Sequence, residues 1–160
     1  MSFEKLLDEK KIEKVEREPF EEISALKDIT SVKNSFESED YDWAMAIAYN
    51  SVLRAGRNFM QSIGYRSIGK EHHKNVFEFL RYAGFDEGLI DYFDGIRKTR
   101  NSFLYQSIEE NSKENAEEVI LKAEDFVHKM RTFVLENRTD ENGRNFKGVT
   151  KTKDIKRGKT

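Results

Sequence analysis

Apolar residues in this chain return every three or four positions, the spacing of one helical face, and nowhere alternate with polar residues over a useful length. Behind Pro19, which suits a first helical turn, Phe20, Ile23, Leu26, Ile29 and Val32 predict a first main helix to about Phe36. The polar run Glu37 to Asp40 supplies cap candidates for a second, from about Tyr41 to Ser62, stopped by Gly64. Its stripe Ala44, Ala48, Val52, Ala55 and Phe59 is joined by another, Met45, Tyr49, Gly56 and Met60. So wide an apolar arc belongs to a central helix, or to one that also faces a partner chain. After the loop 65–69, a shorter helix over about 70–83 puts Val76, Phe77 and Leu80 inward, with Gly84 as its stop. Asp86 caps a fourth helix from Glu87 to about Gln106. The capping-box spacing Asn111-Ser112-Lys113-Glu114 opens a fifth, whose Ala116, Val119, Ile120, Ala123, Phe126, Val127, Met130, Phe133 and Val134 form the clearest amphipathic stripe. Residues 3–16 mix charges with Leu6, Leu7, Ile12 and Val15, as a short helix or an arm docked on the body would.

The expected fold is therefore all-α, an antiparallel up-and-down bundle of four to five helices. Its 160 residues suffice for one core. The expected organisation is an N-terminal arm or short helix (1–18), the bundle (19–137) and a basic tail (138–160). The tail holds 8 Lys and Arg against 3 Asp and Glu, a +5 segment within a chain of net charge −2. It either attracts a polyanion or serves as a solvated extension. There is no cysteine, which excludes disulfides, thiolate metal sites and a cysteine nucleophile, and fits a reducing compartment. With no apolar run of membrane-spanning length and no signal-like N-terminus, the expected location is the cytoplasm. No phosphate-binding glycine loop, nucleophile elbow, paired carboxylates or metal spacing occurs in the sequence, so no metal or cofactor is expected.

The fourth helix breaks its own pattern. At ~100° per residue Leu89, Phe93, Ile96 and Phe103 share an inward sector, and Arg100 falls in its middle. A guanidinium there needs an acceptor, whether a structural carboxylate, such as Asp40 or Asp42 at the start of the second helix, or a ligand. A polar stripe, Arg97, Asn101 and Tyr105, runs beside it. Two guanidiniums, an amide and a phenol offer many donors and almost no negative charge, a set suited to phosphate.

The segment Arg97-Lys98-Thr99-Arg100-Asn101-Ser102-Phe103-Leu104-Tyr105 resembles the signature helix of HEPN domains, helical bundles of prokaryotic toxin–antitoxin and defence systems. Asp42 to Asn50, Gly64-Tyr65-Arg66 and His72-His73 agree with one branch of that family, and the similarity spans about 18–135. The resemblance implies that 19–137 is an HEPN-like bundle with Arg100 as the motif arginine, Asn101 as its polar neighbour and Tyr105 where catalytic members carry histidine. Those members are metal-independent ribonucleases in which a 2′-hydroxyl attacks the adjacent phosphate, arginine steadies the phosphorane and histidine moves protons, two motifs meeting across a homodimer. A tyrosine of ordinary pKa is only about 0.1% ionised at neutral pH and is a poor base. Losing a tuned acid–base group costs ~10²–10⁴ in rate.

Two functions stay open. One is an RNA- or nucleotide-binding toxin or effector, using Arg97, Arg100, Asn101 and Tyr105, with Arg100 and Tyr105 giving weak ribonuclease activity. The other is a non-catalytic module that docks a partner such as a nucleotidyltransferase antitoxin. His72 and His73 point ~100° apart on a helix, which disfavours a shared metal. They are either a structural helix start or, by the resemblance, contacts supporting the motif helix. Arg66 is offered the same supporting role, or a structural bond to helix-end carbonyls or a neighbouring acid. His128 sits on the polar flank of the last helix. Gly88 and Gly95 each cost ~1 kcal/mol against alanine within their helix, and either admit a second subunit or are tolerated.

Overall fold

Six helices and one two-stranded ladder make up the described part of the computed structural model: residues 2–20, 23–103 and 112–137, the side chains of 23–26 and 100–103 excepted. In chain order they are α1 (Glu4–Asp8), β1 (Ile12–Lys14), α2 (Ile23–Glu37), α3 (Tyr41–Ser62), β2 (Tyr65–Ser67), α4 (His72–Ala83), α5 (Glu87–Phe103) and α6 (Lys113–Glu136). The helical-bundle expectation holds. Three-residue connections, Ser38 to Asp40 and Gly84 to Asp86, leave α2 and α3, and likewise α4 and α5, as neighbours that reverse direction.

Local chemistry sets where the helices start. Asp40 Oδ1 accepts the Trp43 amide at 3.2 Å, and Asp86 Oδ1 the Leu89 amide at 3.0 Å. Ser112 Oγ accepts the Asn115 amide at 3.1 Å, so the cap of α6 falls one residue later than a box based on Asn111. Such caps satisfy amides that have no partner within the helix.

Helix α3 is the central one. Ala44, Ala48, Val52, Ala55 and Phe59 from one stripe, with Tyr49, Gly56 and Met60 from the other, are all buried. Helices α2 and α6 pack on one part of that arc, and α4 and β2 on another. Its width is thus used largely within the chain. At Gly56 a Cβ would stand 2.8 Å from Val76 Cγ1 and 3.3 Å from Leu80 Cδ1, so the glycine is what lets α4 come this close. Against α6, Phe126 meets Phe85 and Phe93 edge-on at 4.9 and 5.8 Å. Arg54–Asp28 at 3.0 Å and Lys33–Glu124 at 3.2 Å tie α2 to α3 and α6.

The N-terminal segment and the loop 65–69 need correction. Strands were not expected, yet β1 pairs antiparallel with β2, Ile12 opposite Ser67, Glu13 opposite Arg66 and Lys14 opposite Tyr65. Three-residue strands are too short to show a period of two, and their partners lie 53 residues apart at Glu13 and Arg66. Gly64, at φ +91°, turns the end of α3 into β2 while its carbonyl accepts the Val15 amide at 2.9 Å. Ahead of the ladder, α1 realises the short-helix alternative, and Phe3, Leu6 and Ile12 are buried, with Phe3 stacked 4.0 Å from Phe79. Pro19 and Phe20 lie outside α2, whose described part begins at Ile23, and α4 starts at His72 rather than Lys70. The expected end of the fourth helix near Gln106 and the tail 138–160 lie outside the described residues. No helix among the described residues is long and apolar enough to cross a membrane.

Candidate functional site

Helix α5 presents the first of two groups of cations. Leu89, Ile90 and Phe93 are buried, which fixes its rotation and leaves Arg97 on a flank. Arg97 Nε donates to Asp94 Oδ1 at 2.8 Å, and both side chains are largely shielded, at 13% and 15% exposure. The other Asp94 oxygen stands 3.7 Å from Arg81 Nη2 and 3.8 Å from Lys98 Nζ. Arg81, on α4, also reaches Asp91 at 2.6 Å and Glu87 at 3.7 Å. Arg97 is therefore anchored in an ion network that clips α4 to α5. A guanidinium has five N–H donors, of which Nε is committed to Asp94. The side chains of Arg100 and Asn101, and all of Tyr105, lie outside the described residues.

The start of α5 is fixed electrostatically as well. The Leu89 amide, followed by Lys129, holds the Asp86 carboxyl below its ordinary pKa, overcoming the opposite pull of burial. Further along, burial and then Glu118 push the Tyr92 phenol up to about 12, which marks a protonated hydroxyl held between α5 and α6.

The second group converges where α3 ends, β2 begins and α4 starts. Arg57, Met60 and Gln61 of α3, Arg66 and Ser67 of β2 and His72 of α4 line a pocket of about 230 Å³. Arg57 Nη2 lies 3.4 Å from His72 Nδ1, a long contact in which the ring nitrogen is the acceptor. Burial lowers the Arg57 pKa, Arg54 adding to the effect and Tyr49 opposing it, but a guanidinium stays charged at neutral pH. Across the pocket Arg66 Nε donates to Glu13 Oε2 at 2.6 Å, and Nη2 reaches the same oxygen. That settles the partner of Arg66 as a neighbouring acid, directly opposite in the ladder. The His72 and His73 rings meet edge-on at 4.4 Å, and His73 faces Tyr49 at 6.1 Å. Asn75 Nδ2 donates to the Ile68 carbonyl at 2.9 Å and locks the start of α4 to the strand. Glu71, the residue before α4, provides no side-chain cap.

The structure thus brings His72 and Arg66 to one pocket, while Arg97 belongs to another cluster. Arg57 and Gln61 were missed by sequence reasoning. The available signal was that α3 carries only Asp42, Arg54 and Arg57 as charges, with Arg57 immediately after the buried Gly56. His128 is exposed on α6. No group of three or more His, Cys, Asp or Glu side chains able to hold a metal occurs among the described residues.

A bundle with α3 at its centre and a donor-rich fourth main helix defines the class as a small helical-bundle domain. The family model of the HEPN domain matches residues 23–133, from the first residue of α2 into the last turns of α6. The chain belongs to the HEPN family. None of the curated proteins compared with the chain matches it.

Proposed function

We propose that this protein is an RNA- or nucleotide-binding HEPN toxin or effector that contacts phosphate through Arg97, Arg100, Asn101 and Tyr105 and cleaves RNA weakly, without a metal. The observation that carries the proposal is that the family match runs through the whole donor-rich segment 97–105. In this reading Asp94 orients Arg97, Arg100 steadies the charge that builds on the attacked phosphate, and Tyr105 donates a hydrogen bond in place of a histidine. Two copies of the segment face each other in a homodimer. Tyrosine's poor basicity sets the rate about 10²–10⁴ below that of a histidine-bearing relative.

The test incubates the purified chain with mixed RNA in EDTA. Slow cleavage that disappears in Arg100→Ala and rises in Tyr105→His supports the proposal. If the protein at high concentration neither binds nor cuts RNA, the proposal is wrong. The second reading, a docking module for a nucleotidyltransferase antitoxin, is favoured by one feature. An apolar groove between α2 and α6 is lined by Phe36, Ile120 and Leu121, the last 66% exposed.

A further inference from the structure

Half-buried guanidiniums are normally matched by a carboxylate, because removing a charge from water is costly unless it is paired. Arg81 and Arg97 follow that rule. Arg57 does not. Its hydrogen-bond partner among the described residues is a ring nitrogen of His72, and no carboxylate lies among the residues lining its pocket. The Glu13 carboxylate nearby is engaged by Arg66, and Glu71 lies 3.8 Å from Lys74. Among the described residues, the lining of the pocket therefore holds a positive charge with no carboxylate beside it.

We propose that the pocket between α3, β2 and the start of α4 is a phosphate-binding site in which Arg57 and His72 hold the anion and Arg66, Gln61 and Ser67 border it. When Nδ1 of His72 accepts from Arg57, Nε2 of the ring carries the proton and is a second donor. Donors approach from three separate elements rather than from one plane. A tetrahedral oxyanion engages them together, whereas a planar carboxylate is best met by a single fork. The N-terminal end of α4, where Glu71 supplies no side-chain cap, adds to a field already set by the side chains. This site stands on residues of α3, β2 and α4 and does not depend on the role proposed for α5. Its phosphate comes from either a mononucleotide or an RNA strand.

The full chain, at constant ionic strength in chloride, is titrated with inorganic phosphate while the histidine ring signals are followed by NMR. His72 is expected to shift saturably, with exposed His128 unmoved. Arg57→Gln weakens that binding roughly 10- to 100-fold, as loss of a charge-assisted hydrogen bond would. Arg57→Lys retains part of it. If Arg57→Gln proves misfolded by circular dichroism, His72→Gln replaces it, with phosphate binding read by calorimetry. AMP and short RNAs ending in a 5′-phosphate or a 5′-hydroxyl then identify the source. Preference for the phosphorylated end assigns a terminal phosphate, and equal response assigns backbone phosphodiesters. Parallel, non-saturating shifts of His72 and His128, or wild-type binding by the folded variant, overturn the site. Such a failure leaves the α5 proposal standing, because that is read from RNA cleavage by Arg100→Ala and not from free phosphate.

Discussion

Arg97 and Arg57 are both arginines on long helices beside apolar stripes, and the fold treats them in opposite ways. Arg97 has Asp94 one turn earlier on its own helix, and Arg81 from α4 shares that carboxylate. Its charge is neutralised before any ligand arrives. Arg57 sits beside Gly56 on the most apolar helix of the molecule, and its pocket has no acid in its lining. The difference teaches that a cation's availability is decided by what the neighbouring elements bring to it. The α5 cluster fastens two helices, while the lining of the α3 pocket brings no carboxylate to Arg57 among the described residues.

The strongest way to break this contrast acts on the pocket. Gly56→Val places side-chain atoms where Val76 and Leu80 already stand, pushes α4 away from α3 and separates Arg57 from His72. It should destabilise the protein by about 1–3 kcal/mol, the usual range for overpacking, as measured by urea denaturation. The α5 network, built from α4 and α5 alone, should survive. Unchanged stability would mean that α3 and α4 are not packed this closely.

Asp94→Ala attacks the other side. It leaves Arg97 short of its acceptor in a shielded setting, a loss of about 1–2 kcal/mol, while Arg81 keeps Asp91. Adding Arg97→Met should return part of it, because the isolated charge then disappears with its partner. Additive losses in that double-mutant cycle would show that the pair does not interact.

The smallest effect sharpens the comparison through pH. Asp86 has a depressed pKa in the folded protein, so it contributes stability above its ordinary value near 4 and loses that contribution as the pH falls below it. Asp86→Ala should cost about 1 kcal/mol at pH 7, the worth of a helix cap, and approach wild type near pH 2. Because the side chain is 35% exposed, solvent keeps its ion pair with Lys129 from adding much. A gap between mutant and wild type that does not shrink on acidification would rule out the carboxylate as its source.

Much of the bundle was legible because helices declare themselves locally. The residues of the sequence stripes on α3 and α6 are buried, apart from half-buried Met45 and Phe133, but α3 also buries Ser51 and Leu53, which belong to neither stripe. Asp40 and Asp86 cap where their spacing suggested. The ladder was not legible, since β1 and β2 are three residues each and their pairing is a contact between distant parts of the chain. The site was legible only in part. Arg66 and His72 were weighed as structural residues or as supports of the motif helix, and neither reading placed them beside Arg57. Spacing along one helix cannot reveal which charges face it from two others.

By itself the sequence determined the helical periods, the helix caps and stops, the absence of cysteine chemistry and the concentration of donors at 97–105, because each is a property of neighbouring residues. Tertiary structure alone decided which arginine is paired. Packing α4 onto α5 brought Arg81 to Asp94, and the ladder took Glu13 to Arg66, while the close approach at Gly56 carried His72 to Arg57 without an acid. A carboxylate offsets a buried charge only at contact distance, and contact across helices is set by how they pack.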